Sequence, residues 1–391
     1  MQKYKRLEPI LMDLAGRIRL RGNRVVAIDL SGLGITDISW LASFRSLEEL
    51  SLRACRNIGD FSPISRLANL RILDMSYTQV SDISFLRKLR RLRELRLSGC
   101  LGIRSIAPLA HLKSLEVLYL DKTMVEDLSS LKSLGNLRSL SLWACKLIED
   151  FSPIGNLRGL RELNLGTTAL SEVGFLEGLK GLKTLILCNC RRLVDASPLS
   201  SLGGLEALYV DYTAVQDFNF LRSMKNLRTL SLQGCMLEET APLQCLRKLE
   251  ILDLGHTGVG DIDFLSTIVS LRNLNLLGCP IESIKALSSL RLLEVLDISR
   301  THVEDLTPIE GLKRLRVLNI SYCPIRDIGP IGSLISLERL YMDYVPVEDI
   351  SPILSLAGEG RLKLLSIRGI AIPEKCIVDL KRAGVRIICG S

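Results

Sequence analysis

The chain has 391 residues, 47% of them apolar, and a formal net charge of +8. Its hydrophobicity comes in short leucine beats, and no apolar run approaches the roughly 18 to 20 residues needed to cross a bilayer, so no membrane-spanning class is expected. Eleven cysteines are an odd number in a long chain, and seven of them recur at one spacing, which sets aside the disulfide framework of a small secreted domain.

In chain order, Met1 to Arg6 leads into an amphipathic stretch from Leu7 to Leu20, with no continuous apolar segment and no small-residue cleavage site. No secretory signal is read here. An intracellular location, cytoplasmic or nuclear, is expected, and residues 1–24 are expected to form an N-terminal cap.

From residue 25 one phrase repeats. Leu92-Arg93-Glu94-Leu95-Arg96-Leu97-Ser98-Gly99-Cys100 fits L-x-x-L-x-L-x-x-(N/C), the leucine-rich-repeat signature. The same frame opens at Val25, Leu47, Leu70, Leu92, Leu115, Leu137, Leu160 and Leu182. It continues at Leu205, Leu227, Leu249, Leu271, Leu293, Leu315, Leu337 and Leu362. Side chains alternate faces along a strand, so x-L-x-L-x is a short strand with inward leucines. One repeat cannot bury its apolar face alone, and stacking makes a continuous core. The expected fold is an α/β leucine-rich-repeat solenoid, a right-handed horseshoe. Its parallel sheet lies on the concave face and short 3₁₀ or α turns on the convex face. At about 4.8 Å per strand, the inner arc would run roughly 75 Å.

The second half of each repeat carries phrases such as Asp60-Phe61-Ser62-Pro63-Ile64 and Asp150-Phe151-Ser152-Pro153-Ile154. Serine suits a helix N-cap, proline the first helical position, and aspartate the positive end of the helix dipole. The ninth frame position alternates: Cys55, Thr78, Cys100, Thr123, Cys145, Thr168, Cys190, Thr213, Cys235, Thr257, Cys279, Thr301, Cys323, then Val345. The unit is therefore a pair of repeats, with both side chains placed to donate to loop carbonyls. Successive cysteines two strands apart stand about 9.6 Å from one another, too far for a disulfide and unable to converge on one metal ion. Residues 25–370 are expected to form sixteen such repeats. Residues 371–391 are expected to close the single domain 1–391 with a helix around Pro373 to Gly384 and a strand from Val385 to Cys389.

The repeats resemble the internalin-like leucine-rich-repeat proteins. The wording of Leu92 to Leu109, with Leu-Ser-Gly-Cys and Ile-Ala-Pro-Leu, is similar to the leucine-rich-repeat proteins of trypanosomatid parasites. The resemblance implies protein recognition through the concave sheet, without a cofactor. The signal peptide and surface anchor of internalins are not read here, nor the paired zinc-ligand cysteines of a RING finger.

Outward residues occupy frame positions three, five and seven, with eight at the rim. These positions hold ten acids and six bases, so the face is about −4 in a chain of +8 and does not suit a nucleic-acid groove. The positive excess lies elsewhere, notably in Arg87-Lys88-Leu89-Arg90-Arg91. The second position alternates in charge, as in Arg228, Glu250, Arg272, Glu294, Arg316 and Glu338, which predicts a ladder of ion pairs.

Seven of eight tyrosines fall at outward or rim positions, whereas the phenylalanines, such as Phe61, Phe85, Phe151 and Phe175, fall in the convex turns with Trp40 and are expected in the core. Tyrosine suits interface hot spots. Three repeats share Tyr-x-Asp: Tyr119/Asp121, Tyr209/Asp211 and Tyr341/Asp343. The expected contact surface is Tyr119, Asp121, Trp143, Ile186, Cys188, Tyr209, Asp211 and Tyr212, with Tyr322, Tyr341, Asp343 and Tyr344 as a second patch.

No catalytic set is found around His111, His256 or His302, and no P-loop, G-x-G-x-x-G, H-E-x-x-H or paired C-x-x-C occurs. The expected function is a non-enzymatic scaffold or adaptor binding another protein, with no small-molecule substrate, metal or cofactor. The alternatives are a nuclear protein that contacts nucleic acid through a basic convex surface, or a structural subunit of a large assembly.

Overall fold

Each repeat after the first spends only three residues on regular strand, because a leucine flanked by two outward side chains is all that the parallel pairing requires. The computed structural model describes residues 16–390, and it forms two compact units, Met1–Leu193 and Val194–Ser391. In the first unit the antiparallel pair Ile18–Arg21 and Arg24–Asp29 starts a sheet that continues in parallel from Glu49–Ser51 to Thr184–Ile186. The second unit runs in parallel from Ala207–Tyr209 to Arg386–Ile388.

Register follows the frame's second leucine, with Leu95 opposite Leu118 and Leu118 opposite Leu140 in the first unit, and Leu252 opposite Leu274 in the second. These leucines and the next inward residue are at most 1% exposed, as in Leu95, Leu97, Leu118 and Leu120. A one-residue slip would turn all of them to solvent, so the register is fixed by burial.

The turn side of most repeats is a five-residue 3₁₀ piece such as Ser62–Arg66 or Ser152–Asn156. The expected serine cap is corrected here: serine is the first residue of the turn, no N-cap side chain bonds to it, and the aspartate two places earlier is the acceptor. Asp60 accepts the Ser62 amide at 2.8 Å and the Ser62 hydroxyl at 2.9 Å, and Asp82, Asp127 and Asp349 do the same with Ser84, Ser129 and Ser351. This is an Asx turn, in which a short acidic side chain replaces the missing carbonyl.

The serine amide, then the serine hydroxyl, hold the carboxyls of Asp37, Asp82, Asp127 and Asp195 below their ordinary range. A lowered folded pKa contributes stability above the unfolded value, roughly pH 4, and loses it as pH falls through the lowered value. The melting temperature is therefore expected to fall steeply below about pH 4, and less steeply in a variant with Asp82 and Asp127 changed to asparagine. A melting temperature unchanged from pH 5 to pH 3 would contradict the role given to these turns.

The phenylalanines divide. Phe44, Phe61, Phe151, Phe218, Phe220 and Phe264 are buried, but Phe85 and Phe175 are half-exposed and stack on Phe61 and Phe151 at 6.5 and 6.2 Å. Trp40 is also half-exposed, its indole N–H bonded to the Asp37 carbonyl at 3.1 Å. Placing all of them in the core was too simple, because a ring at the surface of a turn can cover its neighbour's ring.

At the N-terminal end, residues 7–15 of the expected amphipathic stretch lie outside the described residues, and Ile18–Arg21, which includes its end, is a strand. At the other end, Ser351–Gly358 and Glu374–Arg382 are α-helices, followed by strand Arg386–Ile388. Among the described residues no helix is long and apolar enough to cross a membrane.

Candidate functional site

The ninth-position ladder holds the edge of the sheet face. Thr123 Oγ1 donates to the Leu120 carbonyl at 2.7 Å, and the Cys145 thiol of the next repeat reaches back to the same oxygen at 3.0 Å. Thr257 and Cys279 share the Leu254 carbonyl in the same way, and Thr301 and Cys323 share that of Ile298. The structural pair is thus a threonine repeat followed by a cysteine repeat. Burial pushes the thiols of Cys100, Cys145, Cys190 and Cys323 above their ordinary range. None of the eleven cysteines forms a disulfide, and only Cys188, Cys245, Cys376 and Cys389 are not buried. A thiol reagent is expected to titrate at most four groups in the native protein and eleven after denaturation; fast reaction of more than four would contradict the ladder.

Position eight adopts left-handed backbone in every repeat. Its non-glycine occupants include Tyr77, Tyr212, Tyr322 and Tyr344, at φ of 60, 53, 61 and 57°. Each turned amide meets the next repeat, as in Tyr77 N to the Ser98 carbonyl at 2.7 Å and Tyr322 N to that of Asp343 at 2.8 Å. Bulky residues rarely adopt this conformation, so the turn imposes it. The next repeat makes room with glycine. A Cβ on Gly99, Gly234 or Gly369 would stand 2.4 to 2.5 Å from a ring carbon of Tyr77, Tyr212 or Tyr344. Tyr322 is followed instead by Tyr344, and the two rings stack at 4.9 Å with the Arg300 guanidinium 4.2 Å from the Tyr322 centroid.

The three Tyr-x-Asp aspartates act across repeats. Asp121 accepts the Ser141 hydroxyl, the Trp143 amide at 3.0 Å and the Ser98 hydroxyl at 3.0 Å. Asp211 accepts from the Ser231 hydroxyl and the Gln233 amide, and Asp343 from the Ser366 hydroxyl and the Arg368 amide. Sequence reading took these aspartates as contact residues and missed the latch. Its signal was present in the serine at position five of the following repeat in all three cases.

The expected contact residues divide between the units. In the first, a hollow is lined by Tyr119, Asp121, Ser141, Glu162, Asn164 and Ile186. Trp143 is 37% exposed, with the Lys122 ammonium 4.8 Å from its ring, and the Arg96 guanidinium lies 5.4 Å from Tyr119. Ile186 and Cys188 are half-buried. In the second unit, Tyr209 and Tyr341 are half-buried, Asp211 is buried, and Tyr212, Tyr322 and Tyr344 are exposed. The predicted charge ladder pairs Arg93 with Glu116 at 3.5 Å, Arg272 with Glu294 at 2.5 Å, and Arg316 and Lys363 with Glu338 at 2.8 and 3.0 Å. The acids are half-exposed and most of the bases exposed, so each pair contributes at most about 1 kcal/mol. Among the described residues no three potential metal ligands gather.

A family description, leucine-rich repeats in two copies, matches residues 68–111. The chain carries leucine-rich repeats. A leucine-rich-repeat protein of Leptospira interrogans is 22% identical over 97% of this chain and 98% of its own, with a TM-score of 0.80. An internalin of Listeria monocytogenes is 25% identical, covering 81% of this chain and 85% of its own, at 0.60. The functional domain of InlJ from Listeria monocytogenes, described as including a cysteine ladder, is 16% identical over 89% of this chain and 75% of its own, also at 0.60. No curated protein matches the sequence. The solenoid fold follows from these neighbours together with the parallel strands and 3₁₀ turns.

Proposed function

We propose that the protein is a non-enzymatic interaction scaffold whose partner protein docks on the open face of the leucine-rich-repeat sheet. Leucine-rich-repeat folds commonly serve as interaction scaffolds, and the reading rests on one observation: large aromatic side chains stand at outward positions while residues of a neighbouring repeat hold them in place. Trp143 is the clearest case, its amide fixed by Asp121 and its ring met by Lys122. A partly exposed ring with little freedom to lose on binding is what an interface anchor requires.

In the first unit the anchors are Tyr119, Trp143 and Ile186. In the second they are Tyr209 and Tyr212, and separately Tyr322, Tyr341 and Tyr344. Asp121, Asp211 and Asp343 serve as supports, and Cys188 borders the first set. An intracellular setting, cytoplasmic or nuclear, goes with this reading, and the closer likeness to trypanosomatid leucine-rich-repeat proteins rests on the wording of Leu92 to Leu109 alone.

A photo-cross-linking residue at Trp143 is expected to capture a partner protein, and the same residue at Leu101, which is 67% exposed outside the sheet face, is not. Capture at Leu101 with none at Trp143 would overturn the choice of face.

A further inference from the structure

The positive charge that the sheet face lacks collects along one edge of the first unit. In each of its eight frames, take the two residues before the opening leucine or valine and the one after it. The parallel register brings these to the same edge, at the N-terminal ends of the strands. The 24 positions hold twelve arginines or lysines against two acids, Glu48 and Glu116. Nine of the twelve are arginines, and no aromatic residue occurs among the 24. With strands about 4.8 Å apart, the row extends roughly 34 Å.

Internal pairing leaves half of the twelve without a partner among the described residues; Lys113 donates to the Ser133 carbonyl, and Lys180 and Lys183 also have partners. Arg93 pairs with Glu116, Arg91 donates to Asn69, and Arg161 to the Gly181 carbonyl. Arg24, Arg45, Arg71, Arg90, Arg138 and Arg158 have no side-chain partner among the described residues. Near its start the edge also hollows into a cleft of about 350 Å³, where Arg21, Arg24, Arg71 and Arg91 gather around Ser46, Glu48 and Asn69.

We infer that this edge is a second docking surface, separate from the sheet face, that binds the phosphate backbone of duplex nucleic acid without reading its sequence. Guanidinium groups form forked hydrogen bonds to phosphate, and a row of them at regular spacing suits a polymer of regularly spaced anions. The edge offers no ring on which an unpaired base could stack and no apolar core of the kind a protein interface is built around, which favours a duplex over a single strand or an acidic protein.

The test is fluorescence anisotropy with the full chain and a labelled 20-base-pair DNA of arbitrary sequence, from 50 to 200 mM NaCl. If about six phosphates are neutralised, affinity should fall roughly a thousandfold across that range. Reversing Arg24, Arg71 and Arg91 to glutamate should lower affinity at 50 mM more than tenfold, with an unchanged melting temperature. The Y119A/W143A variant should bind DNA as the wild type does, which separates this surface from the proposed protein-binding face. Three outcomes would overturn the inference: no binding at 50 mM, binding indifferent to salt or to the charge reversal, or capture of a poly-glutamate peptide in preference to the duplex.

Discussion

Replacing Asp121 with alanine is expected to destabilise the protein by about 2–3 kcal/mol, more than an ordinary surface substitution. The carboxylate accepts from Ser141, Ser98 and the amide of Trp143, so its loss leaves donors of two neighbouring repeats unmatched. Hydrogen bonds to a charged group contribute about 1.5–3 kcal/mol, and the half-exposed position keeps the effect below the sum of three. Asparagine, which retains the Oδ1 acceptor, should cost only about 1 kcal/mol. Chemical denaturation of the two variants checks this. Equal stability of alanine variant and wild type would mean that Asp121 does not latch its neighbours, and would leave it as a contact residue only.

Gly234 to alanine is expected to cost about 2–4 kcal/mol although glycine-to-alanine changes are often mild. Two terms add: the left-handed backbone at φ 68°, about 1 kcal/mol, and displacement of the Tyr212 ring, whose Cδ1 would lie 2.4 Å from the new methyl, typically 1–3 kcal/mol. The second term should vanish in a Tyr212→Ala background, leaving the same change at about 1 kcal/mol. A coupling of 1–3 kcal/mol between the two positions is the signature of contact, and simple additivity would mean that the ring does not rest on the glycine.

The strand frame, the inward leucines, the alternating Cys/Thr ladder and the opposed charges at position two were legible because each is a repeated side-chain choice at a fixed spacing. What escaped were relations between positions in different repeats. Asp121 and Ser141 are twenty residues apart and belong to different frame positions, so no single column of the repeat displays the latch. The same holds for Tyr212 above Gly234: a glycine that follows a tyrosine at position eight, as Gly99 follows Tyr77 and Gly369 follows Tyr344, records room left for a ring of the preceding repeat. The Asp-x-Ser turns were read as serine caps because the phrase suits a helix start equally well, and only the 3₁₀ geometry shows that aspartate is the acceptor. The basic edge was visible only as the cluster near Arg87, because its other members are single residues scattered through the sequence until the parallel register aligns them.

The central claim is that exposed aromatic residues of the sheet face carry partner binding. Its most direct test is calorimetric affinity for the partner captured at Trp143, comparing wild type with a Y119A/W143A variant of unchanged melting temperature. A loss of about a hundredfold or more is predicted, the effect of two anchors of about 1.4 kcal/mol each. An affinity equal to that of the wild type would contradict it.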